Sequence, residues 1–433
     1  MFKKAKALSV ALLMLLVTLF PTPAHATSCT PERQLSSRNI NQLHVEVVNA
    51  ATGQTLFAQD ENSPERSASV MKILTSAVAL DVLGPDYRVT TSVYSDPNNP
   101  GAIYLVGAGD ITLSRMPGNI TSYYAKAPKL DTLTRLISNW QKSSGVKVSE
   151  VYIDNSLYGG DDEWHETWSK RGLTDGYMAP VSALQIDAGR LMSVRFKNTW
   201  LAKRTATPVQ QAGELFVASL NKRKIAVGMS ATEKQLPEGA IPIASVQSRP
   251  MSEWIINLLK VSDNSLAEAI ARLASLEAGF DGSMESLTPL YKQILGARGL
   301  DVSGLEIVDG SGLSKDNKVP AALVNDVLAL VHQGVGDYSV IGQGLPVSGQ
   351  EGSLRTRFAT GNLKEAKGKV VAKTGFITTG YSLAGFLTAR DGTELIFTVY
   401  NLTDKTKINQ RNAMDNLVYR FYQCGARLTG SGT

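Results

Sequence analysis

Histidine and cysteine are scarce in this chain, with four and two in 433 residues. Neither HExxH nor CxxC occurs, and His44, His165 and His332 stand alone. A metal centre therefore has no ligand set to build on, and no cofactor is implied. Charge of one sign is scarce too. The net charge is +5, with no basic run of the kind that follows a phosphate backbone, which argues against nucleic acid as a partner. Past residue 26 no stretch is long and apolar enough to span a bilayer, so any membrane association of the mature protein is peripheral. Gly107-Ala108-Gly109 is only a GxG fragment and reads as a turn rather than a nucleotide loop.

What is present begins with a three-part leader. Lys3, Lys4 and Lys6 form a basic start, Ala7 to Phe20 is apolar, and Ala24-His25-Ala26 is a small-x-small cleavage signal. That order reads as a secretory signal peptide over residues 1–26, with an uncleaved anchor as the alternative. Lipidation at Cys29 is disfavoured, because Ala26-Thr27-Ser28 lacks the aliphatic residue expected three before the cysteine. The mature product is expected to be exported, either periplasmic or extracellular and wall-associated. In such an oxidising compartment Cys29 and Cys424 invite a disulfide, with two buried free thiols as the alternative. The remaining chain, at 43% hydrophobic and 19% charged overall, is ordinary globular protein and too long for one core, so two domains are expected.

His44 to Val48 alternates apolar positions and turns at Thr52-Gly53 into Leu56-Phe57, which predicts a hairpin. Ser69 to Leu83 carries apolar residues at helical spacing and stops at Gly84-Pro85. From about 89 to 239 the texture changes to short strands, Ile103 to Val106 and Val148 to Ile153, among turn-rich segments. This stretch reads as an insertion between 27–88 and 240–433. Helical spacing returns at Met251 to Lys260 and Ser265 to Ala278. Val370 to Ala372, Ser382 to Thr388 and Glu394 to Tyr400 are strand-like, the last two joined through Asp391-Gly392. Asn409 to Gln423 is an amphipathic helix ended by Gly425. The order predicts an α+β fold, an antiparallel sheet flanked by helices, with an inserted second domain.

Three short motifs carry the chemistry. In Ser69-Val70-Met71-Lys72, residues three apart share a helix face, so the Lys72 amine can lie beside the Ser69 hydroxyl and take its proton. A desolvated lysine among other cations can fall to a pKa that suits a base. Alone, the motif also fits an ordinary helix start. Ser262-Asp263-Asn264 lies between two helices. Ser262 can relay a proton to a leaving amine, and Asn264 can hold Lys72 and substrate backbone; alone, the triplet also fits a helix cap. Lys373-Thr374-Gly375 sits in a strand-like run. There Lys373 and Thr374 can bind a C-terminal carboxylate, Gly375 permits close approach, and the N–H groups of Ser69 and Phe376 can form an oxyanion hole. Alone, it also fits a turn. SxxK, SDN and KTG in this order mark penicillin-binding proteins and class A β-lactamases.

With these motifs, the chain resembles low-molecular-mass penicillin-binding proteins, the D-alanyl-D-alanine carboxypeptidases and endopeptidases with a domain inserted in a β-lactamase/transpeptidase-like catalytic domain. Four further stretches carry the resemblance: Leu83 to Arg88, Tyr104 to Asp110, Asp309-Gly310-Ser311-Gly312-Leu313-Ser314, and Gly352-Ser353-Leu354 followed by Arg357. The likeness covers essentially the whole mature chain, and the long span from Ser69 to Ser262 matches the insertion. Two departures stand out. The domain often nested in the insertion is reduced to a link between Arg190 and Pro208. The residue after KTG, commonly Thr or Ser, is Phe376, which keeps the N–H but loses a hydroxyl for the substrate carboxylate.

The resemblance implies a serine-type D,D-peptidase acting on peptidoglycan stem peptides and acylated by β-lactam antibiotics at Ser69. It also implies that the N- and C-terminal segments lie side by side, within reach of a Cys29–Cys424 bridge. Asp154 and Arg357 stand where the family places acidic and basic partners for a diaminopimelate side chain, and Tyr158 can pack on its methylene stem. The alternative for that trio is a turn cap and solvated charge. A β-lactamase is the rival enzyme, but Glu285-Ser286-Leu287-Thr288 does not match the Glu-x-x-Leu-Asn element of class A. A wall-binding protein with a decayed site is the rival without catalysis.

Overall fold

The computed structural model describes residues 28–160, 162–191, 201–225 and 227–430. The leader, residues 1–26, lies outside them, as do residues 192–200 of the link after Arg190. A short helix α1 (Glu32–Leu35) leads into the hairpin β1 (Gln42–Asn49) and β2 (Thr55–Gln59), and helix α2 (Met71–Val82) follows. Next come β3 (Thr90–Asp96), β4 (Asn99–Val106), α3 (Leu130–Ser144), β5 (Glu150–Asp154), α4 (Arg171–Asp175), α5 (Pro208–Lys222), β6 (Thr232–Glu233) and β7 (Ile241–Gln247). Helices α6 (Met251–Val261), α7 (Asn264–Glu277), α8 (Leu287–Ala297), α9 (Ala321–His332) and α10 (Ser339–Gly344) precede the last strands, β8 (Val370–Ile377), β9 (Gly380–Thr388) and β10 (Glu394–Leu402). Helix α11 (Ile408–Cys424) closes the chain.

The first sheet is antiparallel, in the order β2-β1-β10-β9-β8. Its two faces are written in the period-2 alternation of β10. Leu395, Phe397 and Val399 face a core shared with Leu43, Val45 and Val47 of β1 and with Met414, Leu417, Val418 and Phe421 of α11. Ile396, Tyr400 and Leu402 face the other core, built on α2 and α6 to α9. Ten consecutive residues of α2, Met71 to Leu80, are buried, so it is the central helix of that layer. This is the α+β arrangement expected from the sequence.

The second sheet has the order β6-β5-β4-β3-β7 and mixes directions. β3 pairs antiparallel with β4 and β7, whereas β4, β5 and β6 run parallel. The parallel pair β4–β5 requires a crossover, and α3 supplies it. Leu133 and Ile137 of α3 and Phe216 and Leu220 of α5 cover Val93, Ile103, Leu105 and Ile153 of the sheet. Neither helix was read from the sequence. β7 also lies beyond the 89–239 span assigned to the insertion, because Ile241–Gln247 zips onto β3. Among the described residues no helix is long and apolar enough to cross a membrane.

Two links tie the chain ends to the first sheet. Cys29 and Cys424 form a disulfide across 395 positions, joining the start of the described chain to the end of α11. Arg357 buries its guanidinium against Asp415 of the same helix, its Nε lying 3.1 and 3.2 Å from the two carboxylate oxygens. Replacing both cysteines by serine should lower unfolding stability in urea by about 2–4 kcal/mol. An unchanged midpoint and slope would show that the bridge adds nothing. Arg357→Met leaves Asp415 buried without its counter-charge and should cost about 3–5 kcal/mol in the same assay.

Candidate active site

The nucleophile candidate sits on a turn that its neighbours hold under strain. Ala68 adopts φ +47°, a conformation unusual for a residue with a Cβ. It opens the 3₁₀ turn Ala68–Val70 that carries Ser69 into α2. Ser382 of β9 donates its hydroxyl to the Ser67 carbonyl at 2.6 Å, pinning this turn to the sheet. From the opposite side, Gly312 (φ +78°) packs so closely that a Cβ there would lie 1.9 Å from the Ala68 oxygen.

Lys72, one turn past Ser69 at the start of α2, is fully buried. Its ammonium donates to Ser69 Oγ at 2.9 Å, to Asn264 Oδ1 at 2.8 Å and to the Ser311 carbonyl at 2.5 Å. Burial lowers its pKa to about 8, against the opposing pull of Asp309, Glu268 and Asp263. Lys373 is also fully buried. Its Nζ donates to Ser262 Oγ at 2.8 Å and to the Thr374 carbonyl at 2.7 Å. Burial and the neighbouring Lys72 charge push its pKa well below the usual lysine value.

Ser262 reaches Lys373 because it ends α6 in the left-handed conformation, φ +60°. Asp263 then caps α7, its Oδ1 accepting the Leu266 N–H at 3.1 Å. Asn264, the first residue of α7, turns its carbonyl to Lys72 and donates its Nδ2 to the Tyr177 carbonyl at 3.2 Å. The cap expected of this triplet therefore coexists with the contact of Asn264 to Lys72.

β8 is the edge strand of the first sheet, and hydrogen-bond parity shows which of its N–H groups face outward. Lys369 accepts from Thr388 on the β9 side, while Val370 N–H donates to Ser348 Oγ (3.2 Å) and Ala372 N–H to the Pro346 carbonyl (2.9 Å) on the other side. By the same alternation Thr374 and Phe376 turn their N–H groups to that outer edge, beyond the point where residues 346–348 cover it. Gly375 lies between them, and a Cβ there would be 3.0 Å from Ser69 N and 2.0 Å from Ser382 Oγ. Glycine is thus what lets the strand reach the nucleophile turn. Thr374 Oγ1 donates to Ser353 Oγ at 2.7 Å. The Phe376 ring is 54% exposed and leans on Tyr381, centroids 5.0 Å apart.

The structure thus gathers Ser69, Lys72, Ser262, Asn264, Lys373, Thr374, Gly375 and Phe376 in one cluster. It does not gather the trio expected to read a diaminopimelate side chain. Asp154 is buried, with one carboxylate oxygen accepting from Ser156 N (2.8 Å) and the other from Leu236 N (2.7 Å), so it caps its own turn and anchors the segment after β6. Arg357 is committed to Asp415, because burial of a guanidinium demands a counter-charge. Tyr158 packs with Trp164, Trp168 and Met178 under the Arg272 guanidinium, its hydroxyl buried. All three side chains hold contacts within the protein.

One part of the site had no role in the sequence reading. The Asp309–Ser314 loop supplies the Ser311 carbonyl to Lys72. Asp309 holds that loop, accepting from the N–H groups of Gly312 (2.6 Å), Leu313 (3.1 Å) and Ser314 (2.6 Å). The available signal was the pattern Asp-Gly-Ser-Gly, an acidic residue followed by alternating glycines, which suits a loop wrapped on a carboxylate.

Comparison with known proteins places the chain in a family. The family model described as D-Ala-D-Ala carboxypeptidase 3 (S13) matches residues 33–199 and 192–421. A carboxypeptidase DacB of Mycolicibacterium smegmatis is 30% identical over 409 residues, 94% of this chain and 86% of its own length. A carboxypeptidase of Mycobacterium tuberculosis is 32% identical over 390 residues, 89% of this chain and 81% of its own. Penicillin-binding protein 4 of Haemophilus influenzae has a similar fold, with a TM-score of 0.72 at 19% identity, covering 91% of this chain and 99% of that one. The chain belongs to the D-Ala-D-Ala carboxypeptidase 3 (S13) family of serine-type hydrolases.

Proposed function

We propose that the protein cleaves the D-Ala–D-Ala or D-Ala–diaminopimelate bond of peptidoglycan stem peptides through an ester on Ser69. The observation that carries this reading is the buried Lys72 amine, 2.9 Å from Ser69 Oγ with its pKa lowered to about 8. In its neutral form Lys72 takes the hydroxyl proton as Ser69 Oγ attacks the penultimate D-Ala carbonyl. The negative charge on the carbonyl oxygen is met by the N–H groups of Ser69 and Phe376. The C–N bond then breaks, and the proton passes from Lys72 through Ser262 to the departing amine. Lys373, Thr374 and Ser353 line the strand end where the leaving group's carboxylate fits. Water, deprotonated by the same amine, attacks the ester and releases the shortened peptide. Asn264 spans Lys72 and the Tyr177 carbonyl, which holds the amine in line.

The same site should accept a β-lactam, whose strained amide carbonyl occupies the position of the scissile bond; one H. influenzae penicillin-binding protein 4 structure is of a β-lactam complex. The leader over residues 1–26, read as an export signal, places the enzyme outside the cytoplasm, and the Cys29–Cys424 disulfide suits an oxidising compartment. The second sheet, with its boundary now at Gln247, forms the inserted domain.

Intact-mass analysis with peptide mapping after exposure to benzylpenicillin should find one adduct, on the peptide holding Ser69. Ser69→Ala should abolish it, and Lys72→Ala should slow acylation by about 10²- to 10⁴-fold. An adduct that survives Ser69→Ala sinks the proposal. Because the base is the neutral amine, acylation should rise with pH and level off above about 8, following the Lys72 pKa. A rate that falls through that window would assign the base elsewhere.

A further inference from the structure

Behind the Ser311 loop lies a carboxylate that the acyl-transfer steps do not use. Glu268 stands on α7, one turn past Asn264, and is fully buried. Its Oε1 accepts the Ser311 N–H at 2.8 Å, and its Oε2 is buried with no hydrogen-bond partner among the described residues. Asp309, on the same loop, differs: Oδ1 accepts from Gly312 and Leu313, and Oδ2 accepts from Ser314 and from Trp168 Nε1 at 2.7 Å. A buried carboxylate oxygen with no donor pays its desolvation unrelieved. Glu268 is accordingly raised to about 7, first by burial and then by the Asp309 charge.

We propose that Glu268 is a positioning residue of the acyl transfer, holding Ser311 against Lys72 and, through its own charge, setting the pH at which Lys72 can take the serine proton. This rests on the assignment of Lys72 as the base. The connection is short and covalent in its middle: Glu268 receives the Ser311 N–H, and the Ser311 carbonyl receives the Lys72 ammonium.

The other charged and titratable groups around the pair are accounted for. Arg272, on α7 itself, faces Glu268, but its guanidinium donates to Asp162 Oδ1 (2.7 Å) and the Gly282 carbonyl (3.0 Å). Tyr291 from α8 turns its hydroxyl to Thr75 at 2.7 Å and is held neutral by burial. Asp263 at the start of α7 is engaged with Tyr124 and Arg190, Asp309 with its loop, and Lys373 from β8 with Ser262. Glu268 is left as the acid near Lys72 with one carboxylate oxygen that has no donor among the described residues, and its pKa is raised to about 7. As an anion it favours the ammonium and withholds the base; protonated, it releases Lys72 to the neutral form.

The test is the pH dependence of benzylpenicillin acylation, measured for the wild type, Glu268→Gln and Glu268→Asp. Glutamine keeps an oxygen for the Ser311 N–H but cannot carry charge. Its rise with pH should therefore be complete at lower pH: the rate, relative to each protein's own plateau, should be about twofold above wild type between pH 7 and 8, and the two profiles should converge well below pH 7, where Glu268 is itself protonated. Glu268→Asp retains the charge and should keep the wild-type position of the rise. A Glu268→Gln profile that coincides with wild type, moves to higher pH, or falls evenly at all pH overturns the proposal. Independently of any variant, difference infrared spectroscopy of the wild type should show a buried carboxylic acid ionising near pH 7; its absence overturns the proposal too. Failure of the base assignment would look different: wild-type acylation would not rise near pH 8, or would persist undiminished in Lys72→Ala.

Discussion

Two ammonium groups, Lys72 and Lys373, are fully buried in one cleft, and the arrangement around them follows from the cost of doing so. A cation removed from water loses several kcal/mol of hydration unless oxygen atoms replace the water. For Lys72 those oxygens come from three places far apart in sequence: Ser69 on its own helix, Asn264 at the head of α7, and the Ser311 carbonyl. For Lys373 they are Ser262 and the Thr374 carbonyl. Burial lowers both pKa values, and at Lys373 the Lys72 charge adds to it. At Lys72 the surrounding acids limit how far the pKa falls, and it rests at about 8.

Close backbone approach is the second constraint. Gly312 and Gly375 press on the nucleophile turn from two sides, each where a single methyl group would collide with main-chain or hydroxyl atoms. Between them the turn holds Ala68 in its left-handed conformation and aims Ser69 at the open edge of β8. The edge is open only from Thr374 onward, because residues 346–348 cover its beginning. An extended peptide meeting that edge would find N–H groups at two-residue spacing beside the nucleophile.

What was legible in the sequence was local or repeated. The Asp391-Gly392 hairpin, the apolar face of α11 and the three motifs depend on residues a few positions apart, and spacing suffices to read them. What was not legible depended on distant partners. Arg357 meets Asp415 across 58 positions, and Asp154 meets Leu236 across 82. A lone charge in a sequence looks free for a ligand until its counterpart is placed. Helices α3 and α5 were missed for a related reason, since their apolar faces are completed only by the sheet they cover. Glu268 was passed over because one acid among the apolar residues of α7 looks like a solvated position.

The inserted domain also reaches the catalytic cleft through a charge. Burial alone would raise the Asp263 carboxyl, but Arg190 and Arg204, both from the insertion, hold it below the usual range. Tyr124 donates its hydroxyl to Asp263 Oδ2 at 2.8 Å, and the Arg190 guanidinium lies over the Tyr123 and Tyr124 rings, 4.6 and 5.2 Å from their centres. Asp263 separates Ser262 from Asn264, so whatever fixes its carboxylate fixes the two side chains that meet the lysines. The insertion is thus coupled to the site at three points: at Asp263, through the Tyr177 carbonyl that accepts from Asn264, and through Trp168 Nε1, which donates to Asp309.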